Sequence, residues 1–254
     1  RRTIGGIGGV SDGGDPGHGI RLSSGRLLAP CWSDESPGPI TWAPNPNWGK
    51  IQSSYALYSD DHGQTWHHSA NITQDASDEC MAIELSDGSL YMDMRNRHGK
   101  RCRAHALSQD GGQTWSPVEN DPRLPEPSCQ GSILRTPKGI LCAHPSDPDN
   151  RTRLALYQSQ DEAQTWSAPH ILYEGPAAYS DLALSDDHLL CLFEADNYAH
   201  LILERIYLVP CGVSSVDYVG VEAPLPLTRR CDRGGLLDPP REHNAVSRDG
   251  SASI

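Results

Sequence analysis

The sequence predicts an all-β protein built from the blades of a β-propeller, and two repeating patterns indicate this fold. An octapeptide of the form Ser-x-Asp-x-Gly-x-Thr-Trp begins at Ser59, at Ser108 and again at Ser159. A strand–turn–strand pattern recurs with the same period of about fifty residues. No segment shows a sustained apolar period of 3.6 residues, so long helices are not expected.

Each predicted blade begins with a hairpin, in which two short apolar runs flank a turn rich in Ser, Asp or Gly. The four hairpins cover residues 18–30, 81–92, 132–143 and 182–192. A third strand follows each hairpin, and in the first three units the octapeptide then leads into a short fourth strand. Four strands per unit is the composition of a propeller blade, so the sequence predicts about four blades.

The octapeptide is predicted to stabilise the fold rather than to bind a ligand. Its Ser, Asp and Gly residues are typical of a tight turn in which the Asp side chain accepts hydrogen bonds from nearby backbone N–H groups. Gly permits the positive φ that such a turn needs, and the third copy has Ala163 at this position. The Trp ring is expected to pack between the turn and the sheet.

The composition argues against several classes of partner. The chain has 33 acidic and 21 basic residues and a formal net charge of −12, whereas a nucleic-acid partner requires a basic face. It contains no apolar run of about eighteen residues, so no membrane span is expected. The histidines lack the spacing of a metal site, and neither a metal nor another cofactor is predicted.

The repeating pattern ends near residue 210, which defines the predicted domains. Residues 1–210 are expected to form a partial propeller domain. Residues 211–254 show no periodicity and contain the pairs Arg229-Arg230 and Pro239-Pro240. They are predicted to be a C-terminal tail with little regular structure.

Several segments between the octapeptides are more specific than the repeat itself. They are residues 17–27, 78–79, 84–88, 93–96, 128–134, 178–182 and 191–198. These segments resemble those of sialidases with Asp-box (BNR) repeats, in sialidase order, and the resemblance covers about residues 17–208. It implies a β-propeller of sialidase type, six-bladed in the family. It also implies retaining hydrolysis of terminal α-linked sialic acids, with a sialylated glycan as the substrate.

The resemblance also implies two catalytic residues. Tyr179 matches the family's nucleophile, and Glu79 matches the carboxylate that the family places against it. A free phenol with a pKa of about 10 is a weak nucleophile and needs a base. Because sialic acid has a carboxylate on its anomeric carbon, a neutral Tyr avoids the repulsion that a carboxylate nucleophile would meet.

The substrate carboxylate is expected to bind to arginines, because a planar guanidinium binds a carboxylate in bidentate fashion. Arg95 matches the second such Arg of the family, and Arg151 matches the third. Arg153 competes with Arg151, because side chains two residues apart in a strand point to the same face. Glu194 either orients an Arg or a sugar hydroxyl, or is a structural carboxylate.

Two parts of the family pattern have no counterpart in the 254 residues. One is the Phe/Tyr-Arg-Ile-Pro motif that holds the family's first Arg, and the other is the acid/base Asp that follows it. The chain therefore resembles the C-terminal two-thirds of a sialidase catalytic domain. We expect an exo-α-sialidase slowed by a factor of about 10²–10⁴. The alternatives are sialyl transfer, a non-catalytic sialic-acid-binding propeller and a purely structural propeller.

Overall fold

The computed structural model describes residues 11–14, 18–34, 52–72, 77–97, 99–185, 188–209 and 212–219. All regular elements in these ranges are β-strands. The first sheet contains β1 (Ser11–Gly14), β2 (Ile20–Arg21), β3 (Leu27–Asp34), β4 (Gln52–Ser59) and β5 (His67–His68). The second contains β6 (Ser77–Glu84), β7 (Leu90–Asn96), β8 (Cys102–Ser108) and β9 (Glu119–Pro125).

The third sheet is continuous over seven strands. They are β10 (Ser132–Thr136), β11 (Gly139–Pro145), β12 (Thr152–Ser159), β13 (His170–Ser185), β14 (His188–Ala195), β15 (His200–Val209) and β16 (Gly212–Val219). The long strand β13 pairs with β12 as far as Pro176 and with β14 from Ala177 onwards. The sheet therefore contains two four-stranded units that share β13.

The pairing divides the strands into four antiparallel units, which we call blades 1 to 4. Blade 1 is the first sheet, in which β1 and β2 pair with the same strand, β3. Blade 2 is the second sheet, and blades 3 and 4 are the two halves of the third sheet. The predictions of an all-β fold and of about four blades are confirmed.

One hydrophobic cluster lies between each pair of consecutive blades, as expected for sheets that bury their apolar faces against each other. Leu28 of blade 1 meets Met92 of blade 2 in the first cluster. Tyr91 of blade 2 and Tyr157 of blade 3 belong to the second. The third joins blades 3 and 4 and includes Phe193. This stacking brings the beginning of β6 close to the middle of β13.

The octapeptides form the predicted turns. In all three copies the Asp carboxylate accepts hydrogen bonds from the Thr backbone N–H at 2.8–2.9 Å and from the Thr hydroxyl at 2.5–2.6 Å. The hydrogen bonds from Thr65 hold the pKa of Asp61 at about 2. The Gly position has a positive φ in each copy, including Ala163 at 63°. Trp115 and Trp166 pack against the inter-blade clusters, whereas Trp66 is 37% exposed and its indole N–H donates to Gly63 O of its own turn at 3.2 Å.

The segment predicted to be a tail begins with a strand. β16 pairs with β15, for example Val216 with Ile206, so regular structure continues beyond residue 210. Residues 220–254 of the predicted tail lie outside the described residues. Within the described ranges, the structure contains no helix long and apolar enough to cross a membrane.

Candidate active site

The residues predicted for the site come from three blades and meet around the Tyr179 ring. Tyr179 lies in β13, where the pairing with β14 shifts register between Ala177 and Ser180. Glu79 is near the beginning of β6, and Arg95 is near the end of the neighbouring strand β7. Because β6 and β7 are antiparallel, these two positions lie at the same end of blade 2.

The Tyr179 hydroxyl is held by a carboxylate and a guanidinium. It donates a hydrogen bond to Glu79 Oε1 and accepts one from Arg95 Nη1 at 3.2 Å. The same Nη1 donates to Glu79 Oε2 at 2.7 Å, so the three side chains form a closed triangle. Burial and the hydrogen bond to Glu79 raise the pKa of the Tyr179 phenol above its usual value. The phenol is therefore neutral while its proton already points at a carboxylate.

Besides Glu79, two further side chains lie close to the guanidinium of Arg95. Its Nε lies 3.5 Å from the Ser128 hydroxyl and 3.6 Å from Asp78 Oδ2, and Asp78 also accepts a hydrogen bond from Arg97 at 3.0 Å. Burial opposes the charge of Arg95, but Glu79 and Asp78 outweigh it, and the pKa of Arg95 is raised. Its Nη2 has no hydrogen-bond partner among the described residues, so it can bind an anionic ligand.

Arg151 and Arg153, the two candidates for the third arginine, lie in different surroundings. Arg151 precedes β12, and its guanidinium carbon lies 5.6 Å from the centre of the Tyr179 ring. Its Nη2 donates to the Ser128 carbonyl at 3.2 Å. Arg153 instead lies 3.5 Å from Glu174 with a half-exposed side chain, so only Arg151 lies at the Tyr179 ring.

Two further side chains bind the backbone around Tyr179. Glu194 Oε2 accepts a hydrogen bond from the Tyr179 backbone N–H at 3.2 Å. Gln130, which is buried, accepts a hydrogen bond from Ser180 N at 2.9 Å and donates one to Ser180 O at 3.0 Å. The peptide units on either side of the Tyr are thereby fixed, which limits the movement of the phenol.

Four residues at this site were not predicted from the sequence: Asp78, Ser128, Gln130 and Tyr198. Each lies in a segment that carried the resemblance; Asp78 and Tyr198 are also within four positions of a predicted residue, whereas Ser128 and Gln130 are not. Membership of these segments was therefore the available signal. It could not reveal that Tyr198, 47 residues away from Arg151, accepts a hydrogen bond from it at 2.9 Å.

A second arginine–carboxylate pair lies beside the first but is closed to solvent. Asp93 in β7 and Arg103 in β8 have side chains that are each 1% exposed. Arg103 Nε lies 3.1 Å from both Asp93 oxygens, its Nη2 also donates to Asp93, and its Nη1 donates to Cys129 O at 2.7 Å. No group of three or more His, Cys, Asp or Glu residues in the described part of the chain could hold a metal ion.

Comparison with known proteins gives a consistent family. The family described as "BNR repeat-like domain" matches residues 14–191. Sialidase-3 of Homo sapiens is 32% identical over 235 residues, which cover 70% of this chain and 53% of that protein. Sialidase-2 of Cricetulus griseus is 31% identical and covers 74% and 53%. The chain therefore spans about half the length of these curated relatives.

Solved structures agree with the sequence relatives. A Hadza microbial sialidase superimposes with a TM-score of 0.65 at 26% identity, over 78% of this chain and 38% of the other. The NanB sialidase of Streptococcus pneumoniae superimposes with a TM-score of 0.56, also at 26% identity, over 72% and 28%. These neighbours confirm the predicted fold, a β-propeller of sialidase type.

Proposed function

We propose that this chain, which belongs to the BNR-repeat family that includes the sialidases, is the part of an exo-α-sialidase that carries the nucleophile. The observation that supports this most directly is the triangle of Tyr179, Glu79 and Arg95. A neutral phenol bonded to a buried carboxylate is an activated nucleophile of the kind that covalent catalysis uses. The proposed substrates are terminal sialic acids on glycoproteins, glycolipids or oligosaccharides.

In the proposed reaction, Tyr179 Oη attacks the anomeric carbon and its proton passes to Glu79. The bond from that carbon to the aglycone oxygen breaks, and the aglycone oxygen takes up a proton from solvent water as it leaves. A second water molecule then attacks the anomeric carbon and releases a proton to solvent, the bond to Tyr179 breaks, and Glu79 returns its proton to the phenolic oxygen. Two inversions at one carbon give net retention.

Arg95 and Arg151 are proposed to bind the substrate carboxylate. Arg95 Nη2 is free of partners among the described residues, and Arg151 lies over the Tyr179 ring. A carboxylate held by both would place the anomeric carbon near the phenol. Glu194, whose Oε2 is bound to the Tyr179 backbone N–H, is proposed to orient a sugar hydroxyl or a further arginine with its second oxygen.

The 254-residue chain is proposed to turn over slowly with natural glycans. Its sequence contains no Phe/Tyr-Arg-Ile-Pro motif and no counterpart of the acid/base Asp that follows that motif in the family. Without a proton donor for the aglycone, the rate falls by about 10²–10⁴. An aryl sialoside should react faster than sialyllactose, because a phenolate leaves without protonation.

The test is formation of a covalent adduct. The chain is incubated with a difluorinated sialic acid, whose fluorines slow hydrolysis of the intermediate, and the modified peptide is identified by mass spectrometry. We expect an adduct on Tyr179, none in Tyr179→Phe, and normal labelling in the control Tyr207→Phe. Labelling of Tyr179→Phe at the wild-type rate would contradict the assignment of the nucleophile.

The labelling experiment, together with calorimetry and an assay of aryl-group release, also tests the second candidate, a sialic-acid-binding propeller without turnover. The absence of the motif that holds the first Arg favours this candidate. It predicts that the chain binds the unsaturated glycal of sialic acid in calorimetry but forms no adduct and releases no aryl group. Absence of both binding and adduct would leave a structural propeller as the function.

A further inference from the structure

Tyr198 is an exposed residue that contacts Arg151, the arginine whose guanidinium lies over the Tyr179 ring. It lies in the turn between β14 and β15 and is 51% exposed. Its hydroxyl is 2.9 Å from Arg151 Nη1. The other terminal nitrogen of Arg151 donates to the Ser128 carbonyl. The guanidinium is thus held between Tyr198 and Ser128, over the Tyr179 ring.

The turn that presents Tyr198 has an unfavourable backbone. Asp196, Asn197 and Tyr198 have φ angles of 52°, 55° and 69°, and none of them is glycine. Residues with side chains rarely adopt this left-handed conformation, and three in succession are unusual. Such backbone strain persists only where surrounding contacts maintain it, and it is concentrated at functional sites.

Besides the bond between Tyr198 and Arg151, three contacts of Asp196 maintain this turn. The Tyr173 hydroxyl donates to Asp196 Oδ1 at 2.5 Å, and His200 Nδ1 is 3.0 Å from Oδ2. The Asp196 backbone N–H donates to Pro176 O at 2.9 Å, which joins the turn to β13. The turn is therefore fixed to the strand that holds Tyr179.

Beside Arg151 the turn lines a small cavity of about 30 Å³ that is partly open to solvent. Its lining includes Arg151, Ala178, Glu194, Asn197 and Tyr198. Arg151 Nε has no partner among the described residues, so the guanidinium can still donate to a ligand. Tyr198 thus fixes one edge of the guanidinium and leaves another available.

We propose that Tyr198 is a positioning residue that holds Arg151 in the orientation needed to receive a substrate carboxylate. This rests on the proposed function, because the ligand is the carboxylate of a sialic acid. An unheld Arg would lose rotamer freedom when it binds, and prior orientation removes this cost. Loss of the Tyr198 hydroxyl should therefore weaken carboxylate binding by about two- to tenfold.

The first measurement reads the position of Arg151 without any ligand. Phenylglyoxal modifies arginine, and peptide mass spectrometry gives the rate at Arg151. We expect about two- to tenfold faster modification in Tyr198→Phe, and faster modification in Tyr173→Phe, which loses the bond to Asp196. Tyr207→Phe is the matched control and should equal wild type, because Tyr207 contacts His188 in β14, away from Arg151.

The second measurement separates positioning from a general structural role. Calorimetry gives the Kd of the sialic acid glycal and of its methyl ester, which lacks the carboxylate charge. Tyr198→Phe should weaken binding of the acid and leave binding of the ester unchanged. A merely structural effect would weaken both ligands equally.

Unchanged modification of Arg151 in Tyr198→Phe would overturn the proposal. Faster modification without an acid-specific loss of affinity would also overturn it, because Arg151 would then be held for another reason. If wild type binds neither ligand, the proposed function fails. The modification rates then still decide whether Tyr198 holds Arg151.

Discussion

Two buried arginine–carboxylate pairs lie side by side in blade 2. They differ in whether the arginine keeps a nitrogen that is available to a ligand. In the pair of Arg103 and Asp93, each terminal nitrogen of the guanidinium has a protein partner and both side chains are 1% exposed. In the pair of Arg95 and Glu79, the side chains are 10% and 9% exposed, and one arginine nitrogen has no partner among the described residues. The second pair also contacts Tyr179.

Residue type and burial therefore do not separate a sealed ion pair from one that leaves a nitrogen open to a ligand. Asp93 and Arg95 are two positions apart in β7, and both are buried. Removing one partner of a sealed pair leaves an uncompensated charge in the core. The open pair can exchange partners with a ligand or with water. The sealed pair should therefore control stability, and the open pair should control activity.

The largest expected effect is on stability, in Arg103→Met. The substitution leaves Asp93 buried without its cation, which destabilises by about 3–5 kcal/mol. Urea unfolding gives the free energy of unfolding. The control is Arg205→Met at an exposed position of β15, where a change within about 0.5 kcal/mol is expected. An Arg103→Met variant as stable as this control would show that the pair is not structural.

The next effect is on activity, in Glu79→Gln. The amide keeps the shape of the side chain but cannot accept the Tyr179 proton, so kcat with an aryl sialoside should fall about 10²–10⁴-fold. Stability should change less than in Arg103→Met, because Arg95 retains Asp78 at 3.6 Å. Glu84→Gln, at the other end of β6, is the matched control and should retain kcat. Equal kcat in the two variants would remove Glu79 from the mechanism.

Glu204 is a third buried carboxyl, and unlike Asp93 and Glu79 it has no arginine partner among the described residues. Glu204 in β15 is fully buried, and neither of its side-chain oxygens has a hydrogen-bond partner among the described residues. Burial raises the pKa of Glu204 to about 7. The folded protein thus keeps a proton that the unfolded chain releases above about pH 4.3, so stability falls as pH rises towards 7.

Glu204→Gln should remove this pH dependence. Between pH 4 and pH 8 the free energy of unfolding of wild type should fall by on the order of 3 kcal/mol because of Glu204. The amide of Gln does not titrate, so the variant should not show this fall. Thermal unfolding at pH 5 and pH 8 should show a larger gain for Glu204→Gln at pH 8. The same gain at both pH values would mean that Glu204 does not titrate in this range.

The smallest effect is expected in the repeated turns, which lie outside both ion pairs. Ala163→Gly relieves a positive φ and should stabilise by less than about 1 kcal/mol, because the buried Ala methyl is also lost. Gly112→Ala is the reverse change and should destabilise, since its Cβ would lie 2.4 Å from Leu28 Cδ1. Chemical denaturation measures both variants, and turnover should stay constant in Ala163→Gly. A Gly112→Ala variant as stable as wild type would contradict the packing described for this turn.

The strands and turns could be predicted from the sequence because their causes are local. The octapeptide contains both the Asp acceptor and the Thr donors of its own turn, so three copies give three equivalent turns. The burial of the Trp ring depends instead on contacts with the preceding blade. Trp115 donates to Ser69 of blade 1, whereas Trp66 belongs to blade 1 and no blade precedes it among the described residues. Its exposure could not be read from the motif.

The site was harder to predict from the sequence than the strands, because its contacts join segments that are distant in the chain. The choice between Arg151 and Arg153 depended on where β12 begins. Arg153 has a positive φ of 59°, and the pairing of β12 with β13 is irregular there. An alternation rule for a regular strand therefore does not apply. Tyr198 was equally hidden, since its reach to Arg151 depends on a left-handed turn that contains no glycine.

The position of Tyr179 within β13 has a consequence for cooperativity. The strand belongs to blades 3 and 4 at once, and Tyr179 lies just beyond the point where it passes from one partner to the next. Local unfolding of either blade must therefore displace the phenol. A ligand bound at Tyr179 should slow amide hydrogen exchange in β12 and β14 together, so that occupancy of the site couples two sheets into one unfolding unit.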